Sequence, residues 1–264
     1  MSHLNSSAAG KLSWADRLKQ LVQADPKQET EASRDYFHRR SALMALVAAP
    51  AAVLLATAGT AEAAGPAPAV GSNAKDFKSI RTHENAHVAF LEGALGVLAR
   101  PKPTFKNLEQ RRFIDFVRVS QALENTGVGA YLGATPFVED PGYLSAAASI
   151  ALVEARHAGF LNVYIGDPVT GGPLDSTEDR AFDEPLTPEQ VRAAAGGFIK
   201  NLNGGPPIDY DDTYVSVDPM NPMGPKKPFR SPMNDLAILN FALALEYLEA
   251  DFYNINIPKF FKGK

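Results

Sequence analysis

Two glutamate–histidine pairs with the same short spacing constrain this chain more than any other feature. Glu84 and His87 form the first pair, and Glu154 and His157 form the second. Residues three apart lie on the same face of an α-helix, so each pair can direct a carboxylate and an imidazole to one metal ion. The chain has only five histidines among 264 residues, and chance seldom gives this spacing twice. We therefore interpret both pairs as metal-binding motifs.

Four long segments have helical periodicity, and they predict an all-α four-helix bundle. The segments cover approximately residues 77–98, 108–132, 144–163 and 234–253. A helix of about 20 residues is about 30 Å long, so each segment can cross a bundle. Residues 166–232 are rich in Gly, Pro and Asp and predict a long irregular connection before the last helix. Within it, Thr187 as N-cap and Gln190 in a capping box predict one short helix, and no segment predicts a multi-stranded sheet.

The other two long helices each supply a carboxylate on an apolar face. Glu124 precedes Tyr131 by seven residues, and Glu246 precedes Tyr253 by the same spacing. Seven residues make about two helical turns, so Glu and Tyr share a face in both helices. Burying a carboxylate on such a face is costly unless it is paired or bound to a metal. Glu249, one turn further on, competes with Glu246, and we favour Glu246 because its spacing to Tyr matches that of Glu124.

The predicted ligand set is that of the di-iron and di-manganese carboxylate bundles. It comprises Glu84, His87, Glu124, Glu154, His157 and Glu246. The absence of Cys excludes thiolate sites, iron–sulfur clusters and disulfides, and oxygen and imidazole ligands suit two Fe or two Mn ions. We expect Glu84 and Glu154 to bridge the ions, with Tyr131 and Tyr253 packed behind the ligands. His83 is interpreted as a helix-start residue rather than a ligand.

The first 63 residues have the order of an export signal. Polar residues 1–41 end in Arg39 and Arg40, an uncharged run covers 42–58, and Ala61-Glu62-Ala63 is a small-x-small cleavage pattern. The paired arginines resemble a twin-arginine signal; a secretory signal with a long polar start and a retained membrane anchor are the alternatives. We expect cleavage near Ala63 and a periplasmic or extracellular location. A flexible lead-in over residues 64–76 and a bundle over residues 77–264 would follow.

Several stretches resemble the ferritin-like domain found in desiccation-related proteins. The resemblance is carried by residues 83–87, 123–133, 148–158 and 240–250, and residues 182–199 resemble the family's tail. The stretch similar to the family's first helix stands last in this chain, so the resemblance implies a circular permutation. It also implies a ferritin-like four-helix bundle and a role linked to desiccation stress.

The predicted site leaves two classes of function open. The first is an oxidoreductase or ferroxidase-like protein that acts on O2, peroxide or Fe(II), and a dimanganese catalase would differ only in metal and substrate. The second is a structural or protective bundle without catalysis, so the sequence leaves open whether the chain is an enzyme. A net charge of −4 and the lack of a dense Lys/Arg run argue against nucleic acid as a partner. The export machinery is an expected partner, and a homo-oligomer is compatible with the sequence.

Overall fold

The computed structural model describes residues 73–218 and 220–262. The predicted export signal and its cleavage near Ala63 lie outside the described residues, as does most of the predicted lead-in. Within the described part of the chain, no helix is both long enough and apolar enough to cross a membrane.

Four long helices dominate the described residues and confirm the predicted all-α bundle. They are α1 (Ala74–Leu95), α2 (Phe113–Ala134), α3 (Pro141–Ile165) and α5 (Pro232–Phe260), and the short helix α4 (Pro188–Ala195) lies between the last two. Single 3-10 turns follow α1, α2 and α4. The observed α2 begins at Phe113 rather than at 108, and α5 continues beyond 253 to Phe260.

Local sequence signals set the helix ends. Asp140 caps α3 by accepting hydrogen bonds from two backbone N–H groups of the first turn, and Ser231 caps α5 by accepting one from the Asn234 N–H. Gly166 ends α3 with a φ of 94°, a conformation that glycine adopts without strain. The predicted capping box of α4 is present, since the Thr187 hydroxyl and the Gln190 side chain bond reciprocally to each other's backbone N–H.

The bundle has an up-up-down-down arrangement. Phe77, near the start of α1, contacts Phe113 at the start of α2, with ring centroids 5.9 Å apart. The same ring contacts Tyr164 at the end of α3 and Phe261 just after α5, both at 5.3 Å. At the other end, Asp235 accepts hydrogen bonds from the backbone N–H groups that precede α3. The α1–α2 and α3–α5 connections therefore both cross the length of the bundle.

Two small antiparallel sheets, which were not expected from the sequence, lie in these connections. Strand β1 (Thr104–Phe105) pairs with β2 (Ile199–Asn201). Strand β3 (Tyr214–Ser216) pairs with β4 (Lys226–Pro228). Strands of two or three residues are too short for an alternating pattern to be detected, so no sequence pattern predicts them.

The long connection before α5 is packed onto the bundle. The Leu186 N–H donates to the carbonyl of Gly129 on α2 over 2.9 Å. A Cβ at Gly133 would lie 1.9 Å from the Leu186 carbonyl oxygen, so this close approach requires glycine. Ile208 and Tyr210 are buried in the main hydrophobic core. The connection is therefore irregular in secondary structure but has its own fixed contacts.

Apolar layers enclose the middle of the bundle. On one side, Phe77, Phe116 and Phe252 belong to a core cluster rich in aromatic rings. On the other side, Leu91 and Leu243 belong to a mainly aliphatic cluster. The charged residues described next lie among these buried side chains, where water has little access.

Candidate metal centre

The two Glu-x-x-His pairs of α1 and α3 meet in the bundle core. Glu84 and Glu154 are both 0% exposed. The two carboxylate oxygens of Glu84 lie 3.2 Å from Nδ1 of His87 and 3.0 Å from Nδ1 of His157. Those of Glu154 lie 2.9 Å and 3.8 Å from the same two nitrogens. Each of these carboxylates therefore lies between the two imidazoles.

The glutamates from α2 and α5 lie at the two flanks of this centre. Glu124 Oε2 lies 3.0 Å from Nδ1 of His157, and Glu246 Oε2 lies 3.3 Å from Nδ1 of His87. The ligand atoms form two groups, each with all its atoms within 4.8 Å of one another, and both groups contain Glu84 and Glu154. The first group adds His87 and Glu246, and the second adds Glu124 and His157. The structure thus brings all six predicted residues together; their binding of metal stays a prediction.

A tyrosine holds each flanking carboxylate from behind. The Tyr131 hydroxyl donates to Glu246 Oε1, and the Tyr253 hydroxyl donates to Glu124 Oε1, both over 2.6 Å. The seven-residue spacing predicts each tyrosine on the same face as the glutamate of its own helix. The structure pairs it with the glutamate of the other helix, so α2 and α5 exchange partners across the core. Each flanking carboxylate therefore has one oxygen bonded to a tyrosine and one directed towards an imidazole.

Hydrogen bonds within the cluster do not satisfy all of its carboxylate oxygens. Four buried carboxylate oxygens of this cluster lack a hydrogen-bond partner within the described residues: Glu84 Oε1, both oxygens of Glu154, and Glu246 Oε2. The Nδ1 atom of His87 lies within 3.3 Å of three carboxylates, but it carries at most one proton and satisfies one of them. Unpaired buried carboxylates are costly, and two divalent cations would balance the charge of the four carboxylates. The residues present therefore fit a di-metal site.

Burial and mutual repulsion shift the pKa values of these groups. Burial raises the pKa of Glu124 to about 7, and burial together with Glu154 raises that of Glu246 to about 8. Burial alone would lower the pKa of His157, but the surrounding carboxylates, led by Glu124, raise it to about 12. The pKa of His87 also lies far above its ordinary value, because its carboxylate neighbours outweigh burial. These raised pKa values favour protons on the cluster where cations could bind, and metal binding would release such protons.

Glu249 is a fifth buried carboxylate beside the centre. It is 3% exposed, and burial together with repulsion from Glu154 raises its pKa well above the usual range. A Cβ at Gly127 would lie 3.4 Å from Glu249 Oε1 and 3.7 Å from Glu154 Oε2, so the missing side chain leaves room for both. Glu249 is not in either group of converging ligand atoms, whereas Glu246 is.

His83 lies at the edge of the centre, and its interpretation as a helix-start residue is wrong. Helix α1 begins at Ala74, and His83 is an exposed residue within it. Its Nδ1 lies 2.9 Å from Nε2 of His157, and the two rings are nearly parallel, with centroids 5.1 Å apart. Partial burial and His157 lower the pKa of His83. The available sequence signal is that position 83 directly precedes Glu84, but adjacency in the chain does not predict a contact with His157 on another helix.

Comparison with known proteins gives a partial family match. Residues 47–167 match the family model described as ferritin-like domain. The matched stretch includes α1, α2, α3 and five of the six converging residues, but it covers less than half of the chain and ends before α5 and Glu246. No curated protein and no solved structure matches the chain. Together with the observed helices, the match supports a ferritin-like four-helix bundle whose buried carboxylate–histidine cluster is compatible with a di-metal site.

Proposed function

We propose that this protein binds two Fe or two Mn ions in its bundle core and uses them in redox chemistry with O2, peroxide or Fe(II). One observation carries the proposal: four carboxylate oxygens without hydrogen-bond partners converge on two imidazoles in a buried core. Oxygen-rich sites with imidazole suit these metals better than soft metals.

The geometry supports a division of roles among the six residues. Glu84 and Glu154 face both imidazoles and would be shared by the two ions. His87 with Glu246 would complete one position, and His157 with Glu124 would complete the other. When bound, the ions supply the capacity to exchange electrons with a small oxidant or with Fe(II).

The surrounding residues prepare the site for such ions. Tyr131 and Tyr253 fix one oxygen of each flanking carboxylate and leave the other oxygen for a ligand. Outer contacts of this kind orient metal ligands and tune their basicity. The apolar layers limit the access of water, which strengthens electrostatic interactions inside the site.

A structural role for the metal is the second candidate, and the closure of the site favours it. Glu84, Glu124 and Glu154 are all 0% exposed, and structural metal sites are commonly closed whereas catalytic sites keep an open position. In that case the bundle would be a protective protein without turnover. This alternative agrees with the resemblance to desiccation-related proteins.

We also propose that the chain is exported and that its helix order is permuted relative to that family. The charged, apolar and small-residue order of residues 1–63 supports export to the periplasm or beyond. The family match ends at residue 167, while α5 contributes Glu246 to the cluster. Both facts agree with α5 taking the place of the family's first helix.

Metal analysis of the full chain tests the proposed function. Purified without chelator and reconstituted anaerobically, the chain should contain about two Fe or Mn ions, as carboxylate bundles with this ligand set do. The double variant His87→Ala/His157→Ala should lose most of this metal. Glu92→Gln is the matched control, because Glu92 lies on α1 outside the cluster and bonds to Tyr247. Metal content near zero in the unsubstituted chain would refute the proposal.

Turnover separates the two candidates. A redox protein loaded with Fe or Mn should consume peroxide or oxidise Fe(II) faster than the His87→Ala/His157→Ala variant. A structural protein should keep its two ions and show no rate above the free-metal background. In that second case, metal loading should still raise the unfolding temperature, because a ligand that binds only the folded state stabilises it.

A further inference from the structure

We propose that His83 is a positioning residue, which fixes the tautomer and ring orientation of His157 and makes the two metal positions inequivalent. This role rests on the proposed di-metal site. It assigns a task to the histidine that the six-residue site leaves unused.

The contacts of His157 define which nitrogen faces the metal position. Its Nδ1 lies 3.0 Å from both Glu84 and Glu124, so this nitrogen points into the cluster. Its Nε2 points away and lies 2.9 Å from Nδ1 of His83. A metal-bound imidazole has no proton on the ligating nitrogen, so its one N–H must be on Nε2. That N–H donates to Nδ1 of His83, whose own N–H is then on the solvent side.

The contact between His83 and His157 has the geometry of a hydrogen bond that can orient the His157 ring. The planes of the His83 and His157 rings differ by 6°, so the donor N–H can lie close to the plane of the accepting ring. Metal-binding histidines commonly donate their second N–H to an outer partner, which fixes the ring and raises its basicity. The 2.9 Å contact between Nε2 of His157 and Nδ1 of His83 is already present without a metal ion, so the same two nitrogens face each other in both states.

The other half of the site lacks this support. His83 stands one residue before Glu84, whereas Val153 stands one residue before Glu154. Among the described residues, no side chain forms a hydrogen bond with Nε2 of His87. The two Glu-x-x-His motifs therefore differ at one neighbouring position, and only the ion beside His157 gains from an outer imidazole.

Three substitutions of His83 separate its hydrogen bond from its ring. His83→Ala removes both, His83→Phe keeps a flat ring without an acceptor, and His83→Asn places an amide oxygen near the former Nδ1. Thr82→Ala is the matched control, because Thr82 is exposed on the same helix and bonds only to the backbone of its own helix. Since His83 is also exposed, none of these changes removes core packing.

The first measurement is nuclear magnetic resonance of the metal-free chain with 15N-labelled histidine. A coupling between Nε2 of His157 and Nδ1 of His83 across the hydrogen bond is expected in the unsubstituted chain and in Thr82→Ala. It should be absent in His83→Ala and His83→Phe. Absence of the coupling in the unsubstituted chain would overturn the inference without bearing on metal binding.

The second measurement is titration with Mn(II), followed by calorimetry and by electron paramagnetic resonance. One of the two ions should bind about 10–100-fold more weakly in His83→Ala and His83→Phe, the usual effect of losing an outer partner. His83→Asn should recover most of the loss, and Thr82→Ala should show none. Wild-type affinity for both ions in His83→Phe would overturn the positioning role and leave the proposed function intact. If the unsubstituted chain binds no metal, the proposed function is refuted. A nitrogen–nitrogen coupling that persists would then be only a structural contact, and the positioning role would be refuted as well.

Discussion

Replacing Tyr253 with Phe removes one hydroxyl from behind the metal site and leaves the rest of the core in place. Tyr253 is 0% exposed, and its ring packs edge-on against Phe116 with centroids 6.0 Å apart. Its hydroxyl donates to Glu124 Oε1 over 2.6 Å. Burial and Glu124 raise the pKa of Tyr253 well above its usual range, so the hydroxyl keeps its proton and remains a donor.

The expected loss follows from the kind of hydrogen bond that is removed. A length of 2.6 Å is typical of a bond between a hydroxyl and a charged carboxylate. Such a bond contributes about 1.5–3 kcal/mol net, and about 1.4 kcal/mol corresponds to a tenfold change in affinity. We therefore expect the ion beside Glu124 to bind about 10–100-fold more weakly. The ion beside Glu246 should keep its affinity, because Tyr131 still holds that carboxylate.

Titration of the metal-free chain with Mn(II) measures this effect site by site. Tyr253→Phe and Tyr131→Phe should each weaken one ion, and the two variants should weaken different ions. Tyr247→Phe is the matched control, since the Tyr247 hydroxyl lies on the same helix as Tyr253 but donates to Glu92 outside the cluster. Unchanged affinities in both site variants would refute the view that these tyrosines hold metal ligands.

Three further predictions follow from the geometry of the cluster and of the long connection. Glu154→Gln should reduce the binding of both ions, because this carboxylate faces both imidazoles. Glu246→Gln should weaken the binding of only one ion. Metal analysis after dialysis distinguishes the two patterns. The free energy of unfolding of the metal-free chain should fall as the pH rises from about 4.5 to about 8. In the folded chain the pKa values of Glu124 and Glu246 are raised to about 7 and about 8, so both carboxyl groups keep protons that the unfolded chain releases. Urea unfolding at several pH values checks this, and an equally steep fall in the Glu124→Gln/Glu246→Gln variant would contradict it. Gly133→Ala should destabilise the fold by about 3 kcal/mol, because its Cβ would overlap the backbone of the long connection. Gly93→Ala, with open space around it, should be neutral or stabilising by about 1 kcal/mol in the same thermal unfolding assay.

The sequence predicts the inner part of the cluster well because the relevant geometry is local. A spacing of three residues fixes the relative direction of Glu and His on one helix whatever the tertiary fold. Glu124 and Glu246 were identified because a carboxylate on an apolar helical face needs a partner. These six residues on four helices need only a four-helix bundle to meet, and the observed helices provide one.

Partners across helices could not be predicted in the same way. Periodicity places Tyr131 on the face of Glu124, but it contains no information about which neighbouring helix that face meets. The structure shows that the hydroxyl reaches Glu246 instead. The same limit applies to His83, whose contact with His157 depends on the antiparallel packing of α1 against α3.

The packing of the long connection onto the bundle also could not be predicted from the sequence. Its composition of Gly, Pro and Asp correctly indicated irregular structure, and the capping signals around Thr187 correctly indicated α4. The contact between Leu186 and Gly129 joins distant parts of the chain, and no local pattern records such a contact. A glycine such as Gly129 on a face of α2 indicates that another backbone segment can approach closely, but it does not identify that segment.

The ligand geometry makes the two metal positions depend on α5 in different ways. The position beside His87 needs Glu246, which α5 supplies directly. The proposed position beside His157 would take its four ligands from α1, α2 and α3, and would need α5 only for Tyr253 behind Glu124. Because α5 reaches the bundle through a connection that crosses its full length, occupation of the first position would stabilise the docking of the distant C-terminal helix. If the cluster binds two ions as proposed, metal binding and completion of the fold would therefore be coupled more tightly at the His87 position than at the His157 position.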